Sequence, residues 1–164
     1  MNTRHPLNRL LSGWNQKFAK DYHSYKVYMK KFQPKTTPFE EPTSIDEKHG
    51  ISFGAFVKFL MSPDKVRQHE KFNAHWKSVF TTCQPCSVDY QFVTKQESTY
   101  EDAALMFKLA KIDNITYVSG DPTQVRANEV VSVLADLPKR ILKRIYIAYW
   151  MDFAAFNYSI DQYL

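Results

Sequence analysis

The first half of the chain combines a long amphipathic segment, a proline-rich stretch and a short apolar helix. Pro6 is well placed to begin a helix, and large apolar side chains recur at helical spacing from there to about Lys31. Gln33–Gly50 contains three prolines and is typical of an extended surface loop. Ser52 can cap the helix that follows, and Pro63 then begins a second short turn. The apolar face of the capped helix consists of Phe53, Phe56, Val57 and Leu60.

The second half predicts one strand and two helices. Val88–Val93 alternates and is rich in β-branched and aromatic side chains, which indicates a strand. Ser98–Glu101 has the spacing of a capping box, so a helix is expected to follow it. A final amphipathic helix opens at Leu137 and ends near Asn157. Its polar side carries four basic residues, Lys139, Arg140, Lys143 and Arg144.

The sheet that this pattern predicts is incomplete. Only one strand is convincing, and a lone strand cannot form a sheet. Its partners are either strands that the pattern does not reveal or strands outside these 164 residues. The pattern alone therefore predicts a helix-dominated chain with few strands.

Composition narrows the class of protein. A length of 164 residues suits one domain, and 44% hydrophobic with 15% aromatic residues is too apolar for a disordered chain. With only 4 glycines, the chain contains neither a glycine-rich phosphate loop nor a dinucleotide-binding fingerprint. The net charge of +5 suits an anionic partner, but the charges are scattered, and a solvated basic surface explains them as well. No segment has the ~18 apolar residues that span a membrane, and no targeting signal is recognised.

Two features point to the secretory pathway. Asn114 and Asn157 each begin an N-glycosylation sequon, a triplet that also arises by chance. Cys83 and Cys86 form a C-x-x-C pair. Such a pair supplies only two of the four ligands that zinc needs, and it lacks the helix-start context of a thioredoxin-like redox motif. A disulfide in an oxidising lumen is the alternative that we favour, and no metal site is predicted.

Several segments, in their order along the chain, resemble the motifs of one enzyme family. In Arg4–Ser12 the Ser follows the Arg by eight positions, as in the 3′-phosphate-binding motif of sulfotransferases. Asn73–Trp76 and Cys83–Cys86 resemble the "HW…C-x-P-C" region of the carbohydrate sulfotransferases. Asp89–Glu97 is similar to the strand that comes next in that family, and Ile145–Tyr158 to its closing "Y…Y…DF-x-x-F-x-Y". By this resemblance, residues 1–164 are the C-terminal part of a single domain of a Golgi carbohydrate sulfotransferase of the chondroitin, dermatan and HNK-1 type.

The resemblance implies both a fold and an activity. The fold is α/β and related to P-loop kinases, here incomplete and helix-rich. The activity is transfer of a sulfo group from 3′-phosphoadenosine 5′-phosphosulfate (PAPS) to a hydroxyl of a glycan or glycosaminoglycan, in a type II Golgi membrane protein. Arg4 and Ser12 are then expected to hold the 3′-phosphate. An arginine contacts phosphate bidentately, and a strand-to-helix junction offers N–H groups and the positive end of a helix dipole.

The chain departs from the family pattern in three places. The 5′-phosphosulfate loop, built around Pro-Lys-x-(G/A)-x-(S/T), is not found in it, nor is a membrane anchor. Because the lysine of that loop stabilises the leaving group, we expect this chain by itself to be inactive. The Asp that usually follows the motif arginine is His5, which cannot make the charge-assisted contacts of an Asp, and the Gly before Lys95 is Thr94.

Two residues are candidates for the base that deprotonates the acceptor hydroxyl. His75 titrates in a suitable range, but beside Trp76 it is also explained as a structural histidine. Glu97 is the other candidate, and its alternative is a salt bridge with Lys95. Lys95 itself could contact an anionic glycan or lie in solvent.

Two further function classes remain beside the enzyme. One is a non-catalytic paralogue that binds glycan or an enzyme partner. The other is a basic nucleic-acid module, but only the Lys139–Arg144 cluster supports it, and no nucleic-acid partner is predicted.

Overall fold

The structure is a computed structural model that describes residues 1–19, 45–46, 50–68, 72–112, 114–115, 117, 131–135 and 137–163. The strands are β1 (Asn2–Thr3), β2 (Ile45–Asp46), β3 (Gly50–Ile51) and β4 (Thr94–Lys95). The helices are α1 (Pro6–Trp14), α2 (Phe53–Leu60), α3 (Pro63–Val66), α4 (Val79–Cys83), α5 (Thr99–Leu109) and α6 (Lys139–Ala155). A π-helical turn, Asn15–Ala19, follows α1, and residues 131–135 are also helical.

The helix starts in the first half are confirmed. Pro6 opens α1, and Pro63 opens α3. Ser52 caps α2, because its hydroxyl oxygen accepts a hydrogen bond from the Ala55 N–H at 3.2 Å. The segment predicted to continue α1 to Lys31 is helical as far as residue 19, and the remainder lies outside the described residues. The expected 33–50 loop contains β2, which pairs antiparallel with β3.

The core lies where α1, α2 and α6 meet. The apolar faces of these helices supply most of its side chains, and Trp76 fills the space between them. The Trp76 ring stands 5.4 Å from Phe56 and 6.0 Å from Phe18, within the range at which aromatic rings attract each other. The apolar stripes read from helical periodicity are therefore core stripes in these three helices.

The final helix is confirmed at both ends, but it is not regular. Tyr149 has non-helical dihedral angles (φ −118°, ψ 17°), and its hydroxyl donates a hydrogen bond to the Trp76 carbonyl. Asn157, just beyond the helix, has a φ of 52°. The Tyr158 N–H donates to the Phe153 carbonyl at 2.9 Å, which is the bond of a Schellman motif with Asn157 in its left-handed position.

The predicted strand at Val88–Val93 is wrong. The segment is irregular: Val88, Phe92 and Val93 are exposed, and the Tyr90 hydroxyl donates to the Cys83 carbonyl at 2.9 Å. The strand is β4, at the end of the alternating segment, and it pairs in parallel with β1, with Thr3 opposite Lys95. Its position is fixed by a partner at the other end of the sequence rather than by local alternation.

The capping box predicted for α5 is not formed. The helix begins as expected, but the Ser98 hydroxyl donates to Asp102 Oδ2 at 2.9 Å and does not cap the helix. None of the residues of α5 is buried, and Leu105 and Leu109 are more than half exposed. The described residues thus form a helix-rich fold with short strands, and none of their helices is both long and apolar enough to cross a bilayer.

Candidate functional site

A basic side chain lies at the carboxyl ends of the two parallel strands. Arg4 directly follows β1, is partly exposed and precedes α1 by one residue. Glu97 follows β4 by one residue. Because the strands are parallel, both residues lie at the same sheet edge, where open α/β sheets bind their ligands.

Glu97 joins several segments at this sheet edge through its carboxylate. Its Oε1 accepts the His5 N–H at 2.9 Å, and its Oε2 accepts the Tyr158 hydroxyl at 3.1 Å. The Tyr158 hydroxyl also lies 3.2 Å from Thr3 Oγ1. Burial is the largest cause that raises the pKa of Tyr158, so this hydroxyl keeps its proton and acts as a donor to Glu97. The carboxylate therefore joins the β1–α1 junction to the C-terminal segment.

Lys95 is held inside the same cluster. Its ammonium lies 4.6 Å from the centre of the Tyr158 ring and donates to the Asn157 carbonyl at 3.0 Å. A cation over an aromatic face is attracted by the electrons of the ring. The contacts of Lys95 thus place it against the segment after α6, where it supports Tyr158.

His5 caps α1 with its side chain. Its Nδ1 accepts the Leu7 N–H at 3.3 Å. Pro6 has no N–H, so two of the first three helical positions offer no donor to an anion. The expectation that this junction offers free N–H groups is therefore wrong for its first two helical positions, and the charged group beside them is the Arg4 guanidinium.

The other end of α1 contacts the turn that carries His75. A Cβ built on Gly13 would meet the His75 carbonyl oxygen at 3.0 Å, so glycine permits this close approach. Arg9 secures the turn, because its guanidinium donates to the Lys77 carbonyl and, at 2.8 Å, to the Ala74 carbonyl. Ser12 is partly exposed and belongs to the same last turn of α1.

The predicted site residues therefore fall into two groups. Arg4 and Glu97 lie at the start of α1, and Ser12 and His75 at its end. The eight steps along the chain from His5 to Gly13 correspond to about 12 Å along a helix axis. Because of this separation, His75 and Glu97 are not placed to act on one hydroxyl together.

His75 has the electrostatics of a neutral imidazole. Burial lowers its pKa, and the positive charges of Lys17 and Arg9 lower it further. A histidine that is uncharged near neutral pH can accept a proton, which general-base catalysis requires. Its side chain is partly exposed.

Asp152 is a buried hydrogen-bond acceptor that the sequence analysis did not identify. The side chain is 2% exposed. Its Oδ1 accepts the Ser78 hydroxyl and the Phe80 N–H, both at 2.7 Å, and its Oδ2 accepts the Val79 N–H at 3.0 Å. Asp152 thus binds the start of α4 to α6. The only signal for it was its place in the closing motif.

The cysteines and the sequons have separate outcomes. Cys83 and Cys86 are both free thiols in the structure, with Cys83 partly buried and Cys86 exposed. The structure therefore does not contain the disulfide, which stays a prediction for the protein in an oxidising compartment.

Asn114 and Asn157 are both exposed, as a glycan acceptor must be, and both have positive φ. Glycosylation at these positions stays a prediction.

Asn157→Gly gives a test of glycosylation that leaves the helix end intact. Glycine is the residue best suited to the left-handed position after α6, so the variant should fold as stably as the parent while lacking the sequon. When both proteins are secreted from eukaryotic cells, we expect treatment with N-glycosidase to increase the electrophoretic mobility of the parent, by one glycan more than that of the variant. Equal shifts for the two proteins would exclude a glycan on Asn157, and Ser159→Ala serves as a second sequon-free control.

The described residues define a helix-rich domain with a short parallel strand pair, in which an arginine stands between a strand and the start of a helix. Comparison with known proteins identifies the family. The profile of the sulfotransferase family matches residues 1–159, and the chain belongs to this family. The resemblance found in the sequence is thereby confirmed.

Named relatives are carbohydrate sulfotransferases. The chain is 28% identical over 167 residues to carbohydrate sulfotransferase 11 of Rattus norvegicus, which covers 98% of the chain and 47% of the relative. It is 29% identical to carbohydrate sulfotransferase 12 of Mus musculus, covering 94% of the chain and 38% of the relative. For carbohydrate sulfotransferase 9 of Homo sapiens the identity is 28%, with 95% and 36% covered. The chain thus spans less than half the length of these relatives. No solved structure matches it.

Proposed function

We propose that this chain is the part of a carbohydrate sulfotransferase that holds the 3′-phosphate of PAPS and presents a base to a sugar hydroxyl. The observation that carries the proposal is Arg4, which stands between a parallel strand and the start of a helix in a chain matched to the sulfotransferase family over residues 1–159. Arginine is the side chain best suited to a phosphate, because its planar fork donates two parallel hydrogen bonds.

The residues of the junction fit such a donor. Arg4 is partly exposed, and its positive charge reaches the neighbouring Tyr158, whose pKa it lowers against the larger effect of burial. Arg4 would hold the 3′-phosphate. For Ser12, in the last turn of α1, to add its hydroxyl to the same phosphate, the long Arg4 side chain would have to extend along the helix over the roughly 12 Å between them. When bound, PAPS supplies the activated sulfo group. The chain's own task at this end is to fix the position of the nucleotide.

Of the two candidate bases, we assign His75 to proton transfer and Glu97 to support of the phosphate site. Both carboxylate oxygens of Glu97 already accept hydrogen bonds from groups that fix Arg4 and the C-terminal segment. His75 is partly exposed and has a lowered pKa, so it is neutral and can take up the hydroxyl proton of an acceptor.

The remaining features of the proposal rest on the resemblance of the sequence motifs to those of the Golgi carbohydrate sulfotransferases. The acceptor would be a hydroxyl of a glycan or glycosaminoglycan. The whole protein would have the P-loop-related sulfotransferase fold, with residues 1–164 as the C-terminal part of its catalytic domain. It would act in the Golgi lumen and be attached to the membrane through an N-terminal anchor.

Calorimetric titration with 3′-phosphoadenosine 5′-phosphate tests the proposal. This nucleotide carries the 3′-phosphate without the sulfo group, and 5′-AMP, which lacks the 3′-phosphate, is the matched control. We expect the purified chain to bind the first at least about tenfold more tightly than the second, since a charge-assisted arginine contact is lost. Equal affinity for both, or binding of neither, would mean that the junction does not recognise a 3′-phosphate.

A further inference from the structure

His5 occupies a closed position in the middle of the phosphate-binding junction. The residue is 7% exposed. Its ring stands edge-on to Phe153 at 5.6 Å and to Tyr158 at 5.2 Å, and Tyr163 lies 5.7 Å away. The ring is thus enclosed by the end of α6 and the C-terminal segment.

Every polar group of His5 has a partner. The ring nitrogen Nδ1 lies 3.3 Å from the Leu7 nitrogen, and Nε2 lies 3.0 Å from the Ser159 oxygen. The backbone N–H donates to Glu97 at 2.9 Å, and the backbone carbonyl accepts the Arg9 N–H at 3.0 Å. The residue therefore fixes both the end of β1 and the start of α1.

These partners determine which form of the ring fits. The Leu7 N–H can only donate, so Nδ1 must be free of a proton. The Ser159 carbonyl can only accept, so Nε2 must carry one. A single species satisfies both, the neutral ring protonated at Nε2. A charged ring would turn an Nδ1–H against the Leu7 N–H and abolish the cap of α1.

We propose that His5 is a positioning residue that links phosphate binding to protons: the neutral ring holds Arg4 in place, and uptake of a proton at Nδ1 loosens the 3′-phosphate site. This rests on the proposed function, in which Arg4 binds that phosphate. Arg4 and His5 are adjacent, so loss of the α1 cap moves the backbone from which the guanidinium extends. The acidic Asp at the usual family position has no such dependence in this range of pH.

The surroundings of the ring favour its neutral form. Burial is the largest influence and lowers the pKa of His5, and Lys95 acts in the same direction. The hydrogen bond to Ser159 and the charge of Glu97 raise the pKa but do not reverse the shift. The titratable or charged groups that face or adjoin the ring are Glu97, Lys95, Tyr158, Tyr163 and Arg4.

The sign of the pH effect follows from this shift. The pKa of His5 in the folded chain lies below the value of about 6.5 of an unfolded histidine. As pH falls below about 6.5, the unfolded chain takes up the proton first, and stability decreases until the folded pKa is passed. A charged ring would also attract a phosphate, but both ring nitrogens face protein groups and cannot contact it directly.

The test compares the parent chain with His5→Asn between pH 5.5 and pH 8. Asparagine is a good helix cap and does not titrate, so the variant keeps the cap of α1 but cannot take up a proton at this position. For 3′-phosphoadenosine 5′-phosphate, we expect the dissociation constant of the parent to rise about fivefold more on acidification than that of the variant. The ionisation of the phosphate itself is common to both proteins and cancels. If His5→Asn does not fold, His5→Asp takes its place.

Thermal unfolding of the ligand-free proteins provides the independent readout. The melting temperature of the parent should fall more steeply below pH 6.5 than that of His5→Asn. Affinities with the same pH dependence in both proteins would overturn the proposal and leave the 3′-phosphate site standing. A parent affinity that rises on acidification relative to the variant would overturn it too. Absence of binding at every pH would overturn both this proposal and the proposed function.

Discussion

Replacement of Asp152 by alanine should lower the free energy of unfolding by about 4 kcal/mol. The carboxylate is buried and accepts three hydrogen bonds, from the Ser78 hydroxyl and from the N–H groups of Val79 and Phe80. Alanine removes the acceptor and leaves the Ser78 hydroxyl and the Val79 N–H buried, and the Phe80 N–H partly buried, without it. Because a domain is stable by only about 5–15 kcal/mol, this loss is a large part of the total. Chemical denaturation followed by circular dichroism measures it.

If the Asp152→Ala variant does not fold, two milder variants still measure the contribution of these hydrogen bonds to stability. Asp152→Asn retains one acceptor oxygen and loses the charge, so we expect about half the effect. Ser78→Ala removes one donor and the bond to the Thr81 N–H, and we expect about 1–2 kcal/mol. Glu101→Ala, at an exposed position of α5, is the matched control and should change stability little. A loss below 1 kcal/mol for Asp152→Ala would contradict the role described.

Arg4→Ala should weaken binding of 3′-phosphoadenosine 5′-phosphate by about 10- to 100-fold. The guanidinium is the charged donor at the carboxyl end of β1, and the start of α1 cannot replace it, because Pro6 has no N–H and the Leu7 N–H is bound to His5. Arg4→Lys keeps the charge but not the planar fork, so an intermediate affinity is expected. Calorimetric titration at low and at physiological salt measures the loss.

The matched control for Arg4→Ala is the same substitution at an exposed arginine of α6, Arg140. Arg140→Ala removes the same charge from the first turn of α6 and should leave affinity almost unchanged. Ser12→Ala should cost only a few-fold, as expected for one neutral hydrogen bond. A melting temperature measured for each variant separates loss of the phosphate contact from loss of folding. Equal affinities for Arg4→Ala and Arg140→Ala would remove Arg4 from the site.

Elements with both a periodic apolar face and a local start signal could be predicted from the sequence. For α2, Ser52 marked the start and four apolar residues marked the buried face, and the structure has both. The bounds of α6 followed from its amphipathic pattern and the proline before it. These features depend on neighbouring residues, so the sequence contains nearly all the information that they need.

Elements fixed by distant partners could not be predicted in this way. The alternation of Val88–Val93 indicated a strand, but pairing with Asn2–Thr3 selects Thr94–Lys95 instead. Ser98 matched a capping box, yet its hydroxyl prefers the Asp102 carboxylate. The hydrogen bond to this charged acceptor fixes the orientation of the Ser98 side chain, whose oxygen then accepts no N–H of the helix, and the sequence pattern does not include this contact.

The candidate site was predicted in part by resemblance. Arg4 lies where the motif places it, directly after a strand and before a helix. The sequence indicated only that His5 cannot make the charge-assisted contacts of the usual Asp, whereas the structure uses its side chain as the cap of α1. Histidine is not among the usual capping residues, so propensity alone would not reveal this role. The contacts of Asp152 join residues more than seventy positions apart, as in the bond from Val79, and only the fold brings them together.

Hydrogen bonds between residues far apart in the sequence also set the order of events during synthesis. His5 is bonded to Ser159 across 154 positions, and Thr94 is bonded to Met1 across 93. A ribosome must therefore release the residues up to Ser159 before the β1–α1 junction can close, whereas α2 and α6 can form as they emerge. Contacts that close long loops form late in folding. We accordingly expect the phosphate-binding junction to be the last part of the described fold to mature, and truncation after Ala155 to abolish it while most of the helical core remains.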